Sequence, residues 1–354
     1  MPEPIALPSQ VSLTVYSVVW PATEALMRQC LVEEADALLS RHRCAFTKRQ
    51  DSLHAPFFDA WKSFAAAAVQ GLDQFEQSYP TAGSSEAIRE IIRTCVSRRQ
   101  ALVVFDGDYE GYEALASHQG TRVVRVERRA WRETLENWRI HGAPFGPGGA
   151  QWWISQPSAI DGNVWPEFSE WLDAVASLEG CQVWVDLCYV GSATQSAPIR
   201  LPQHSALAGV VFSLSKVMGA YYRRIGGCLS REEIPGLWGN RWFKNLDSLY
   251  LGQRWLEHAK SATDTALAAR AYQSHAFSRA MDALGGSDLW SRSGILWRPS
   301  DVPLLMHALP VGTPPSGWEH VWMAALRGKA APASVRLCLT PSIEQLIQES
   351  FHVA

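Results

Sequence analysis

Long apolar runs, paired cysteines and blocks of one charge are all missing from this chain. No stretch approaches the roughly 18 consecutive apolar residues that a membrane-crossing helix needs, so none is expected. The seven cysteines (Cys30, Cys44, Cys95, Cys181, Cys188, Cys228 and Cys338) are odd in number, scattered, and never arranged as Cys-x-x-Cys. That pattern argues against a disulfide framework or a zinc site, so no metal is expected, and it suits a reducing compartment. Charged residues make up 19% of the chain and sum to a formal -3. The densest basic stretch, Arg125-Val126-Glu127-Arg128-Arg129, is too short to track a phosphate backbone, so no nucleic-acid partner is expected. The start, Met1-Pro2-Glu3-Pro4, lacks the positive charge and apolar core of a signal peptide. A cytoplasmic protein is the resulting expectation.

Apolar material is plentiful. With 354 residues and 47% hydrophobic content, the chain can bury a substantial core and divide into about two domains. Its organising stretch runs from Val210 to Gly227. A short apolar run, Val210-Val211-Phe212, ends in Ser213 and Ser215, followed by Lys216, by Gly219 three residues on, and by Arg224 eight residues after the lysine. An amine placed just beyond a buried strand and beside cations is partly desolvated, which lowers a lysine pKa and makes it nucleophilic. Hydroxyls and a planar guanidinium are the donors that a phosphate monoester needs. Pyridoxal 5'-phosphate, PLP, carries both a phosphate and a carbonyl that a lysine can capture. A bare Ser-Lys pair would fit an ordinary basic loop; the full spacing is much harder to obtain by chance.

The segment from Lys216 to Tyr221 with Arg224-Ile225-Gly226 resembles the cofactor-lysine segment of the class I aminotransferases, the aspartate aminotransferase-like group of fold-type I PLP enzymes. The resemblance spans roughly residues 79–340. It implies an α/β fold with a mostly parallel, seven-stranded-type sheet in a large domain, and a small α+β C-terminal domain. The implied division is an N-terminal arm with helices over 1–78, a PLP-binding domain over 79–250, and a linking helix with the small domain over 251–354. It also implies a homodimer with active sites between subunits, and roles for single residues. Lys216 would form the Schiff base with the cofactor, while Ser213 and Arg224 would bind its phosphate, with Ser215 beside them.

Other stretches carry matching residues. Tyr79-Pro80-Thr81-Ala82-Gly83-Ser84-Ser85 leads into a helix set by Ile88, Ile91, Ile92 and Cys95. A small-residue turn at a helix start presents free N–H groups and the positive dipole end to an anion, so Gly83, Ser84 and Ser85 are phosphate candidates. Residues 101–105 read as a buried strand. After it, Tyr109 matches the aromatic that lies on the pyridine ring, with Gly107 where the family has proline, and Tyr112 reads as core. Residues 151–155 are a strand leading to Gln156-Pro157, where the family has Asn-Pro and its amide donates to the cofactor's phenolic oxygen. Residues 182–186 are a strand ending in Asp186, the expected partner of the pyridine nitrogen. Tyr189 matches the tyrosine on the phenolic oxygen. Arg336, inside an apolar strand over 334–339, matches the arginine that grips a substrate carboxylate.

Helices are further expected over 22–41, 57–72, 131–140, 168–178, 250–284 (one long or two joined), 318–326 and from 343. Short strands are expected over 121–126, 294–297 and 303–308. The sixteen tryptophans hint at an aromatic-lined pocket, although core and interface positions account for most such residues. The cofactor motifs do not decide the reaction, because PLP stabilises one carbanion for many outcomes. The expected activity is an aminotransferase yielding a 2-oxo acid from a small-molecule amino acid. The alternative is elimination, replacement or cyclisation in a biosynthetic pathway, including on S-adenosylmethionine. A ligand-sensing regulator would carry a DNA-binding helix, and no basic recognition helix precedes residue 79.

Overall fold

The computed structural model describes residues 21–45, 51–194, 197–220, 223–242, 244–302, 305–309, 311–326 and 335–338. Near the N-terminus, α1 (Pro21–Arg28) passes through a π-turn at Gln29–Glu33 into α2 (Ala35–Cys44), so the expected single helix is interrupted. Then comes α3 (Asp51–Ala65), which ends earlier than the periodicity over 57–72 predicts. The chain extends there instead, and β1 (Val69–Gln70) pairs with a later short strand. The aromatic face of α3 is clamped to the sheet: Trp61 stacks on Phe212 at 3.8 Å between centroids.

The central layer is a seven-stranded sheet. Its members are β2 (Gln77–Thr81), β3 (Ala101–Phe105), β4 (Val123–Val126), β5 (Ala150–Ser155), β6 (Cys181–Asp186) and, after the short β7 (Ile199–Arg200), β8 (Leu207–Ser213) and β9 (Gly226–Ser230). In space the order is β2-β9-β8-β6-β5-β3-β4. All pairings are parallel except those of β9 with β2 and β8, so β9 alone runs against the others. The β3 and β5 runs are buried at every position, which is why they read as unbroken apolar stretches rather than alternating ones. Strand β2 carries no such signal. Its polar residues and Pro80 are tolerated because it is an edge strand.

Helices α4 (Ser84–Arg98), α5 (Glu110–His118), α6 (Trp131–His141) and α7 (Phe168–Ala176) cover the sheet. One face buries Trp152, Trp171 and Phe105 with the α3 aromatics, and the other buries Ile88, Ile91, Tyr112 and Trp153. A one-turn α8 (Leu214–Val217) follows β8 directly. Beyond it, α9 (Leu246–Ala259) and α10 (Ala262–Ala283) are two helices, parted at Lys260, whose φ is 63°, with Ser261 capping the second.

After α11 (Ser287–Arg292) come β10 (Arg298–Pro299), β11 (Leu305–Ala308), α12 (Glu319–Leu326) and β12 (Val335–Cys338). The three strands form an antiparallel sheet over a core of its own, which holds Trp290, Trp297, Trp318 and Trp322. Residues expected as a strand over 294–297 are loop, and pairing starts at Arg298. The helix expected from 343 lies outside the described residues. Among those described, no helix is long and apolar enough to cross a membrane.

Candidate active site

In an open parallel sheet the carboxyl ends of the strands bound a crevice. Here β3, β5, β6 and β8 bring Tyr109, Ser155, Asp186 and Ser213 to the rim of one cavity of about 470 Å³. The same cavity is lined by Ser84, Ser85, Tyr189, Ser215, Lys216, Arg224 and Arg336. Residues as distant in sequence as Ser84 and Arg336 therefore share one wall-to-wall space.

One end is built to hold an anion. The α4 N-terminus presents Ser84 and Ser85 after Gly83, whose φ is 74°. A side chain at Gly83 would be strained, and its Cβ would sit 2.8 Å from Arg224 Nη2. Arg224 adopts a φ of 50°, and Nη2 donates to Ser85 Oγ at 3.3 Å. Ser213 caps α8: its Oγ accepts from the Ser215 N–H at 3.2 Å and donates to Ser215 Oγ at 3.0 Å. Hydroxyls, a guanidinium and a 15-residue helix dipole thus converge.

A buried carboxylate lines the same cavity. Asp186 is 5% exposed. Its Oδ2 accepts from Tyr112 Oη at 2.9 Å and its Oδ1 from the Cys188 N–H at 2.9 Å. Burial pushes its carboxyl above the usual range, against the pull of those donors. Asp108, also buried, is likewise pushed up by burial and accepts from Ser155 Oγ at 2.5 Å and the Tyr109 N–H at 2.7 Å. A carboxyl raised in the folded state favours folding while protonated and loses that advantage as it ionises. Stability of the ligand-free protein should therefore fall as pH rises from about 3.9, the ordinary aspartate pKa, towards the raised one. Thermal unfolding across that range should show a shallower decline in Asp186→Asn; equal slopes would remove Asp186 as a cause.

Tyr109 lines the cavity as well. Its ring folds back over Gly111, where an added Cβ would lie 2.3 Å from Tyr109 Cε1, and it meets Tyr112 edge-on at 5.2 Å. Gly111→Ala must therefore displace the Tyr109 ring. The expected result is ligand binding weakened about tenfold, equivalent to the stacking energy of an aromatic pair, with little change in melting temperature. Unchanged binding would show that the ring position is immaterial.

The three-stranded sheet supplies Arg336 from β12. This side chain is buried; Nη1 donates to the Ala159 carbonyl and to Tyr189 Oη, the latter at 3.4 Å. A polar joint holds the sheet there. Ser300 Oγ donates to the Asp161 carbonyl at 2.6 Å, the Asp301 N–H to Asn163 Oδ1 at 2.9 Å and the Val302 N–H to the Gly162 carbonyl at 2.9 Å.

Gln156 departs from expectation. Its amide is spent on the Trp165 backbone, donating to the carbonyl at 3.0 Å and accepting from the N–H at 3.1 Å, and it does not line the cavity. The longer side chain reaches back over its own loop, and Ser155 takes the cavity wall. Ser155, Ala159, Cys188 and Glu110 line the space although no sequence motif points to them. Ser155 and Cys188 flank motif positions, and adjacency is the only signal they carry. No tryptophan is among the cavity's lining residues; most are core.

No family model and no curated relative matches the chain. Solved structures do. A single mutant of Thermus thermophilus aspartate aminotransferase superposes with a TM-score of 0.64 at 18% identity, covering 96% of this chain and 90% of that one. The PLP-bound C-S lyase from Staphylococcus hominis gives 0.63 at 11%, covering 84% and 81%. The chain has the aminotransferase-like architecture of fold-type I PLP enzymes. A third fold-type I structure, histidinol-phosphate aminotransferase from Sinorhizobium meliloti in complex with pyridoxal-5'-phosphate, gives 0.59 at 15%, covering 95% and 88%. Within this fold the described cavity occupies the crevice at the strand ends.

Proposed function

We propose that the protein is a PLP-dependent enzyme acting on an amino acid, and specifically an aminotransferase that releases a 2-oxo acid. The observation that carries this reading is a single cavity shared by an amine, a buried carboxylate and a serine-arginine cluster. That donor set fits the cofactor: the cluster matches a phosphate, and the buried carboxylate needs a cationic neighbour such as a protonated pyridine nitrogen. PLP, when bound, supplies an electron sink for charge developing at the substrate's α-carbon.

The chain's own residues have separate tasks. Ser84, Ser85, Ser213, Ser215 and Arg224 bind the phosphate, with Gly83 leaving room for it. Asp186 holds the proton of the ring nitrogen, Tyr109 restrains the ring face, and Tyr189 Oη donates to the phenolic oxygen. Lys216 Nζ would hold the aldehyde until the substrate's amine displaces it, and the freed amine would then take the proton from the substrate α-carbon and return it to the cofactor side as general base and acid. Arg336 would grip the α-carboxylate and so orient the α-carbon.

The same proposal includes a cytoplasmic homodimer and a division into a large and a small domain; two sheets with separate cores support the division, but residue 250 falls inside α9, which packs into the larger core together with Ala262. The lyase neighbour, at a TM-score similar to that of the aspartate aminotransferase, supports a second reading: elimination, replacement or cyclisation, including on S-adenosylmethionine. Single turnover with candidate amino acids separates the two. Stoichiometric conversion of the cofactor to its amine form with 2-oxo acid release supports transamination. Return of the original spectrum with a cleaved or cyclised product supports the second reading. A protein that binds no PLP rules out both.

A further inference from the structure

We propose that Tyr112 is a positioning residue that donates its phenolic hydrogen to Asp186 and so keeps that carboxylate ionised and aimed at the cofactor's ring nitrogen. The inference rests on the PLP reading above. Tyr112 lies in the first turn of α5, is fully buried, and packs edge-on against Tyr109 and at a tilt against Trp153, both at 5.2 Å. Packing alone would be served by phenylalanine. The hydroxyl, however, must place its hydrogen on an acceptor when buried, and it lies 2.9 Å from Asp186 Oδ2.

The electrostatics give that bond a purpose. Among the described residues, the hydrogen-bond donors to Asp186 are the Cys188 thiol and amide and the Tyr112 phenol, all neutral. Burial, and to a smaller extent the buried Asp108 carboxyl nearby, works against the ionised carboxylate, and Cys188 and Tyr112 pull the other way. Burial also holds the Tyr112 phenol well above its ordinary range, so it stays a donor at every working pH. Without it Asp186 becomes a stronger base and draws the ring proton onto its own oxygen. A ring nitrogen that loses its proton is a weaker electron sink.

Tyr112→Phe keeps the ring and removes only the hydroxyl. The test measures PLP affinity, the pH profile of kcat, and the nitrogen NMR signal of PLP labelled at the ring nitrogen, bound to the holoenzyme. Expected are PLP affinity and kcat each reduced about tenfold, near what one hydrogen bond to a charged group is worth. KM should stay nearly constant, the acid limb of the profile should move to higher pH, and the nitrogen signal should shift towards its unprotonated position. Tyr112→His, which restores a donor on the same helix face, should recover part of that shift. If Tyr112→Phe does not fold, the histidine variant decides: a fully unprotonated signal there overturns the proposal. So does a signal and pH profile in Tyr112→Phe that match wild type, whatever the melting temperature. Wild type that binds no PLP would instead overturn the earlier reading.

Discussion

Replacing Lys216 with alanine is expected to reduce turnover by at least about a thousandfold, since on the proposed reading it removes the nucleophile and the proton carrier together. Phosphate-end binding should survive, because the proposed phosphate donors Ser84, Ser85, Ser213, Ser215 and Arg224 are separate side chains lining the same cavity. The variant should therefore still take up PLP, more weakly, and its absorption should be that of a free aldehyde rather than of a lysine-bound one. Single-turnover kinetics and the absorption spectrum check both halves. A Lys216→Ala protein with about a tenth of wild-type turnover would sink the assignment of Lys216.

The second large effect concerns Arg336. Arg336→Gln is expected to raise KM by about 10²–10³-fold, the range of about 2–5 kcal/mol for truncating one side of a buried charge pair. PLP affinity should change little, because β12 supplies none of the proposed phosphate donors. The split matters: Arg336 comes from a sheet remote in sequence and also bonds to Ala159 and Tyr189. Equal losses in PLP affinity and KM would mean that the side chain shapes the cavity rather than gripping a substrate. Substrate titration followed by cofactor absorbance measures the two separately.

Much of this site is legible in the amino-acid order. Lys216 announces itself because an apolar strand, serines, a glycine and an arginine surround it at fixed intervals, and local spacing survives folding. Asp186 is legible for the same reason, as a carboxylate closing a strand buried on both faces. Gln156 is not. Whether an amide points into a crevice or back onto its loop depends on one methylene and on where Trp165 lies, and the sequence carries no register for that. Tyr112 reads as core, and it is core; its hydroxyl reaches Asp186 across 74 positions, a distance that no periodicity can report.

Helix limits depart from the periodicity for a related reason. The apolar pattern over 57–72 continues past Ala65 because Ala68, Val69 and Leu72 are also buried, but in a turn, in the two-residue strand paired with β7, and in a separate short helical turn. Edge strand β2 is invisible because an edge needs neither two apolar faces nor every N–H, and Pro80 reads as a turn. Burial pattern identifies what is inside, and only pairing partners decide its secondary structure.

The sequence by itself determined the chemistry on offer: an amine, a strand-end carboxylate and two phosphate-matched segments, residues 83–85 and 213–224. Tertiary structure alone decided that these groups face one cavity, that Arg336 joins them through the Asp161–Val302 joint, and that Gln156 does not. The reason is physical. Local spacing follows from the backbone, whereas the direction of a side chain follows from the packing of segments that meet only when the sheet has formed.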